Sequence, residues 1–239
     1  MSSGIADASR GCMKEEMKMD IISNNLANSG VIGFKKSRIS FAESLKKASS
    51  ANLLENPSMV SVNTDLSQGD IKATGNNLDL AIFGDGFFKV DTPEGIRYTR
   101  KGNFLLDASM TLVTQAGHPV MGKSGSITLY GNEISINKQG VISVDGLPSG
   151  QLDVVNFENY EDLISEGLGL YRNKQDDQGN AISGETSINQ GYLELSNVNI
   201  AEEMVNMIQS LRAFESYQKS IKILDQMNGK AINDVGRLR

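Results

Sequence analysis

Residues 200–227 read IAEEMVNMIQSLRAFESYQKSIKILDQM, and their spacing decides the fold. Ile200, Met204, Met207, Leu211, Phe214, Tyr217, Ile221 and Leu224 recur at three- and four-residue steps, the repeat of one face of an α-helix. At 1.5 Å per residue such a helix runs about 40 Å, longer than an average globular helix. Asn199 stands where an N-cap is needed, and Glu202 and Glu203 put negative charge in the first turn, where the helix dipole favours it. Glu202 also completes a capping box. A break is expected at Asn228-Gly229, after which Ile232, Val235 and Leu238 resume the spacing.

A weaker counterpart opens the chain. From about Ile5 to Ala27, Ile5, Ala8, Cys12, Met19, Ile22 and Leu26 form an apolar stripe among Lys, Glu and Asp. This helix ends in Asn24-Asn25-Leu26-Ala27-Asn28-Ser29-Gly30, where side-chain amides compete for backbone hydrogen bonds and Gly30 tolerates a positive φ. Gly33 then opens a short extended stretch. Between the two helices the period changes to short β-like runs: Leu80–Phe83, Phe87–Val90, Thr111–Thr114, Ser126–Leu129, Ile134–Ile136, Val141–Val144 and Leu152–Phe157. Gly, Asn and Asp punctuate them, and most of the 24 glycines fall here, as many tight turns require.

The predicted class is α+β, with terminal helices pairing as a coiled-coil layer and an all-β domain between them. The expected divisions are residues 1–35 (helix and turn), 36–65 (extended linker), 66–190 (β domain) and 191–239 (long helix). Ser, Ala and Asn enrich residues 46–63, and residues 173–184 read as a loop. Each terminal stripe must be covered, either by the other or by neighbouring chains, and a heterologous contact repeated without closing generates a filament.

Composition removes several functions. A net charge of −6 leaves no basic surplus to neutralise phosphates, so nucleic acid and anionic lipid are not expected partners. The first twenty residues carry charge throughout, so no signal-peptide core is expected, and no apolar run is long enough for a membrane span. The lone Cys12 has no partner for an internal disulfide and fits a small buried hydrophobe.

Candidate chemistry is thin. Gly84-Asp85-Gly86 lacks the third glycine of a dinucleotide fingerprint and is followed by a strand, which makes it a turn. His118, the only histidine, would have to carry any triad or metal cluster alone, and it sits in the turn Gln115-Ala116-Gly117-His118-Pro119. Asp79, Asp85 and Asp91 suggest, as a remote alternative, a glycan-binding or glycan-hydrolysing β domain, although Asp beside Gly is ordinary turn chemistry. No catalytic residue, metal, cofactor or small-molecule substrate is expected.

Several segments resemble the flagellar axial proteins of the basal-body rod and hook. Ile22-Ser23-Asn24-Asn25-Leu26-Ala27-Asn28 followed by Gly33-Phe34-Lys35 is similar to the family's N-terminal signature. Gly191-Tyr192-Leu193-Glu194-Leu195-Ser196-Asn197-Val198-Asn199, Glu203-Met204-Val205-Asn206-Met207-Ile208 and Arg212-Ala213-Phe214-Glu215 resemble the C-terminal one. Residues 74–82, 84–88 and 98–104 are similar to the β domain of the hook protein and the two larger rod proteins. Ser29-Gly30-Val31-Ile32 departs from the family, which usually has a Thr there. Residues 117–122, the short segment between Phe41 and Asn63, and the ending Lys230-Ala231-Ile232-Asn233 resemble the FlgF type more than the FlgG type.

The resemblance implies a structural subunit of the periplasmic rod, assembled with copies of itself and other rod proteins to carry torque from motor to hook. It implies export by the flagellar type III apparatus without signal cleavage, helices lining the inner tube with the β domain outside, and termini frayed in the lone subunit. The expected assembly residues are Ile5, Cys12, Met19, Ile22, Asn24, Asn25, Leu26, Asn28, Gly33 and Phe34 at one end. At the other they are Asn197, Asn199, Met204, Met207, Ile208, Leu211, Arg212, Phe214, Ile221 and Leu224.

Overall fold

The computed structural model describes residues 2–40, 61–175, 179–181 and 186–236. Leu238 and residues 41–60 of the expected linker lie outside the described residues, as do parts of the expected loop at 173–184. The chain is α+β: helix α1 (Ser2–Ala27), a series of short strands, and helix α2 (Ile200–Gly236). It divides into two compact units, one drawn from residues 1–27, 37–62 and 199–239, the other from Asn28–Lys36 and Asn63–Val198.

In the first unit α1 and α2 run antiparallel. Gly4 stands opposite Leu224, and seven residues on, Gly11 stands opposite Tyr217, where an added Cβ would lie 2.6 Å from the ring. Small residues line this part of α1 because the bulky side chains of α2 fill the space between the axes. Asn25, 1 % exposed, uses both ends of its amide on one backbone position: Nδ2 donates to Ser37 O (3.0 Å) and Oδ1 accepts from Ser37 N (2.9 Å). The amide thereby extends the pattern of a strand ladder from the helix to Ser37–Ser40, which pairs with Ser61–Thr64.

Two expectations are corrected here. Gly33, not Gly30, takes the left-handed conformation (φ 64°), because the turn closes later, through Val31 N to Asn28 O and Phe34 N to Val31 O. Helix α2 also passes through Asn228-Gly229 without a break. A glycine inside a helix costs only about 1 kcal/mol, less than abandoning a helix already propagating.

The second unit is built on a six-stranded antiparallel sheet in the order Leu163–Gly167, Leu170–Asn173, Gly95–Thr99, Phe87–Thr92, Val154–Asn156, Asn180–Ala181. Period-two alternation along Phe87-Phe88-Lys89-Val90 sends Phe88 and Val90 into one apolar cluster, with Phe104, Leu80 and Ile142, and Phe87 into another, with Tyr98, Phe157 and Tyr171. Phe88 and Phe104 meet edge to face at 5.1 Å. A separate three-stranded sheet, Ile134–Ile136, Val141–Val144, Leu147–Gln151, closes the first cluster through Ile142, Val144 and Ile136. Of the expected strands, Ser126–Leu129 is split: Gly125–Ser126 pairs with Met121–Gly122, and Thr128 forms an isolated antiparallel bridge with Thr111, flanked by Leu112 N to Ile127 O and Leu129 N to Met110 O (both 2.8 Å).

Candidate functional site

The expected assembly residues of α2 fall on different faces of the helix. Met207, Phe214, Ile221 and Leu224 are half-buried, whereas Ile200 (48 %), Met204 (55 %), Ile208 (52 %) and Leu211 (47 %) are exposed, as is Arg212. Ile200, Met204, Ile208 and Leu211 recur at helical spacing and form a second apolar stripe. On α1, Ile22 and Asn25 are buried, Ile5, Cys12, Met19 and Leu26 are half-buried, and Asn24 is exposed. Asn199 caps α2, its Oδ1 accepting from Glu202 N at 3.2 Å.

In the second unit the signature residues of both chain ends converge. Gly33 N donates to Glu194 O (2.8 Å), and Asn197 N donates to Phe34 O (3.3 Å). The Asn197 side chain fastens two more segments: Oδ1 accepts from Lys36 N (2.8 Å), and Nδ2 donates to Asp65 O (2.9 Å) and Ser67 O (3.1 Å). At Gly33 the positive φ and the closeness of the Arg100 carbonyl carbon, 2.7 Å from an added Cβ, both demand glycine. Asn28 is half-buried and opens this turn through its carbonyl.

These contacts enclose three buried charges absent from the expected set: Lys35, Arg100 and Glu194. The Glu194 carboxylate accepts from Lys35 Nζ (2.5 Å), Gly69 N (2.9 Å) and Arg100 Nη1 (3.5 Å). Lys35 also donates to Ser67 O (2.6 Å), and Arg100 to Gly84 O (2.9 Å) while its guanidinium stacks over the Phe87 ring at 5.1 Å. The side chains of this cluster are no more than 2 % exposed. One local clue lay in the sequence, a carboxylate held between Leu193 and Leu195 where apolar residues would be expected.

Burial pushes the Lys35 pKa below the ordinary lysine value; Glu194 opposes that shift and Arg100 adds to it. Burial likewise lowers Arg100 and raises the phenol of Tyr171. Folding that lowers a lysine pKa costs stability in full below the folded value, and the cost fades as pH rises through that value toward 10.5. Relative to Lys35→Met, the natural protein should therefore gain stability as pH rises in this alkaline window. Denaturation midpoints of both proteins from neutral pH to about 10.5 check this; a constant difference would contradict it.

The other candidates lie apart. Asp79 precedes the strand Leu80–Phe83 and accepts from Asn76 Nδ2 (3.2 Å); Asp85 occupies the following turn and accepts from Thr186 Oγ1 through its carbonyl (2.8 Å); Asp91 lies in Phe87–Thr92. His118 sits in a tight turn in which Thr114 N donates to its carbonyl and Thr114 Oγ1 accepts from its backbone N–H. Among the described residues no three His, Cys, Asp or Glu cluster as metal ligands, and no helix is long and apolar enough to cross a membrane.

The family model described as the flagellar basal body rod FlgEFG protein C-terminal region matches residues 189–234, and that of the flagellar hook protein FlgE/F/G D1 domain matches residues 81–144. The chain is 38 % identical over 247 residues to the flagellar basal-body rod protein FlgG of Buchnera aphidicola subsp. Schizaphis graminum, covering 91 % of this chain and 94 % of that one. It is 33 % identical over 255 residues to FlgG of Bacillus subtilis, covering 93 % and 95 %. With FlgF of Caulobacter vibrioides it shares 32 % over 230 residues, covering 92 % and 93 %. On the strength of these matches, over the C-terminal region and the β region and with relatives covering more than nine-tenths of the chain, the chain belongs to the flagellar basal-body rod protein family, structural components of the basal body and not enzymes.

Proposed function

We propose that this chain polymerises with copies of itself and with other rod proteins into the flagellar rod, the shaft that carries torque from motor to hook. The observation that carries the reading is the exposed stripe Ile200, Met204, Ile208 and Leu211, which remains open while α2 packs against α1 on another face. A helix apolar on two faces needs two partners, and the second belongs to a neighbouring subunit.

The helix pair supports a coiled-coil layer as the building block. Gly4, Ala8, Gly11, Glu15, Lys18, Ile22 and Asn25 on α1 step by four and three, as do Glu203, Met207, Ser210, Phe214, Tyr217, Ile221, Leu224 and Asn228 on α2. Residues 1–35 and 191–239 then serve as the assembly core, 36–65 as a linker and 66–190 as the β domain. Export through the flagellar type III apparatus without signal cleavage is part of the same reading, supported by the charged, amphipathic first helix.

The pair Ile208→Asp and Leu211→Asp tests assembly directly. It is expected to leave far-UV circular dichroism unchanged while abolishing rods and swimming; unimpaired swimming would sink the proposal. Gly11→Leu, which has no room beside Tyr217, should lower helicity and the helix pair's thermal midpoint, and an unaltered midpoint counts against the coiled coil.

Two rod positions fit. Residues 117–122 and 230–233 support the FlgF type, whereas the 38 % identity to a protein named FlgG supports the FlgG type. Labelled microscopy decides: signal at the distal rod means FlgG, and signal between the proximal and distal rod means FlgF.

A further inference from the structure

The second unit contains a cavity of about 270 Å³ that the assembly reading leaves unused. Two turns wall it, one holding Thr114 to His118 and the other Leu168 to Leu170, and Thr99, Lys101, Asn103 and Phe104 complete it. Leu168 and Leu170 are its accessible apolar lining, Phe104 beneath them being 1 % exposed, and among the described residues its only charged lining residue is Lys101. In a chain with 29 carboxylate side chains against 23 lysines and arginines, no carboxylate among the described residues lines this cavity.

Lys101 is held in place. Its backbone N–H donates to Thr99 Oγ1 (3.1 Å), the Thr99 hydroxyl donates to Gly169 O (2.8 Å), and the lysine stem lies where a Cβ on Gly169 would stand 2.7 Å from Cε. Burial alone lowers its pKa, with no acidic neighbour offsetting the shift among the described residues. An ammonium partly removed from water without a counter-charge is relieved by an anion entering beside it. Leu168 is 81 % exposed at the cavity wall and has a positive φ of 53°, a conformation that strains a non-glycine residue. The imidazole of His118 carries at least one ring N–H in every protonation state.

We infer that this cavity binds a carboxylate carried on a short aliphatic body, the Lys101 ammonium and a His118 ring N–H meeting the carboxylate while Leu168 and Leu170 cover the apolar part. The volume lies just below the usual range of drug-sized ligand cavities, which suits a group of that size and excludes a nucleotide or an extended glycan. A free aliphatic acid and a glutamate beside an aliphatic residue in a peptide present the same chemistry.

The test titrates the full chain, isotope-labelled, with 4-methylpentanoate, with its neutral amide, and with acetyl-Leu-Glu-amide, following the Lys101 and His118 resonances. A saturable response at about millimolar concentration is expected, with the Lys101 pKa moving upward as the site fills. Response to the free acid alone assigns the ligand to small molecules, and response to the dipeptide assigns it to a protein chain; either supports the site. Lys101→Met keeps the packed stem and should weaken binding at least tenfold, about 1.4 kcal/mol. Leu168→Gly removes an apolar wall at a position glycine prefers and should also weaken it. Equal binding of the amide, undiminished binding by Lys101→Met, or shifts that never saturate would overturn the inference.

Discussion

Glu194→Gln is expected to destabilise the second unit by about 3–5 kcal/mol, the cost of leaving buried charges without compensation. The carboxylate is the only anion within hydrogen-bonding reach of Lys35 Nζ and Arg100 Nη1 in the described cluster, and its side chain is 1 % exposed. Removing its charge leaves two cations a short distance apart in a low-dielectric interior. Lys35→Met should cost markedly less, because it leaves the Arg100–Glu194 pair and removes the ammonium whose desolvation already opposes folding. Urea denaturation of the two variants measures the asymmetry; equal losses would show that Glu194 acts by packing alone. Because Gly69, Gly84 and Ser67 all bond to the charged side chains of this cluster, and Gly33 N to the Glu194 main-chain carbonyl beside them, its loss should also loosen the junction that ties the two signature segments together.

Gly102→Ala should be at least as damaging, beyond about 4 kcal/mol and on the order of a 10 °C fall in melting temperature. A Cβ at Gly102 would stand 1.6 Å from the Leu80 carbonyl oxygen and 2.7 Å from its carbon, and Leu80 is fully buried. Leu80 N donates to Gly102 O at 2.9 Å, so the two backbones are already paired and the strand cannot retreat without breaking that bond. The obstruction is backbone, which has no rotamer to relieve it. Gly150→Ala is the matched control: nothing lies within 4 Å of its added Cβ, and thermal melts should show it near neutral. If Gly102→Ala melts like Gly150→Ala, the close approach is absent in solution.

Both helices were legible in the sequence because an apolar repeat of three and four residues is a local property that survives in any context. The N-cap Asn199 was legible for the same reason, its partner being three residues away. Much of the strand set was legible where apolar runs met turn residues, as at Leu80–Phe83, Ile134–Ile136 and Val141–Val144. The division of Ser126–Leu129 between two partners was not, because Ser126 pairs with Met121 while Thr128 bridges Thr111, and a change of partner within four residues leaves the alternation of Ile127 and Leu129 unaltered.

The sequence by itself thus determined which segments are helical, where the β unit lies and, through the signatures at both ends, the family. Only the tertiary structure decided which stripe of α2 packs against α1 and which stays open, since Met207 and Ile208 are one residue apart and chemically alike. It alone brought Lys35, Arg100 and Glu194 together from positions up to 159 residues apart. Charge pairing at that separation leaves no local period to read, whereas helical spacing is written within a few residues.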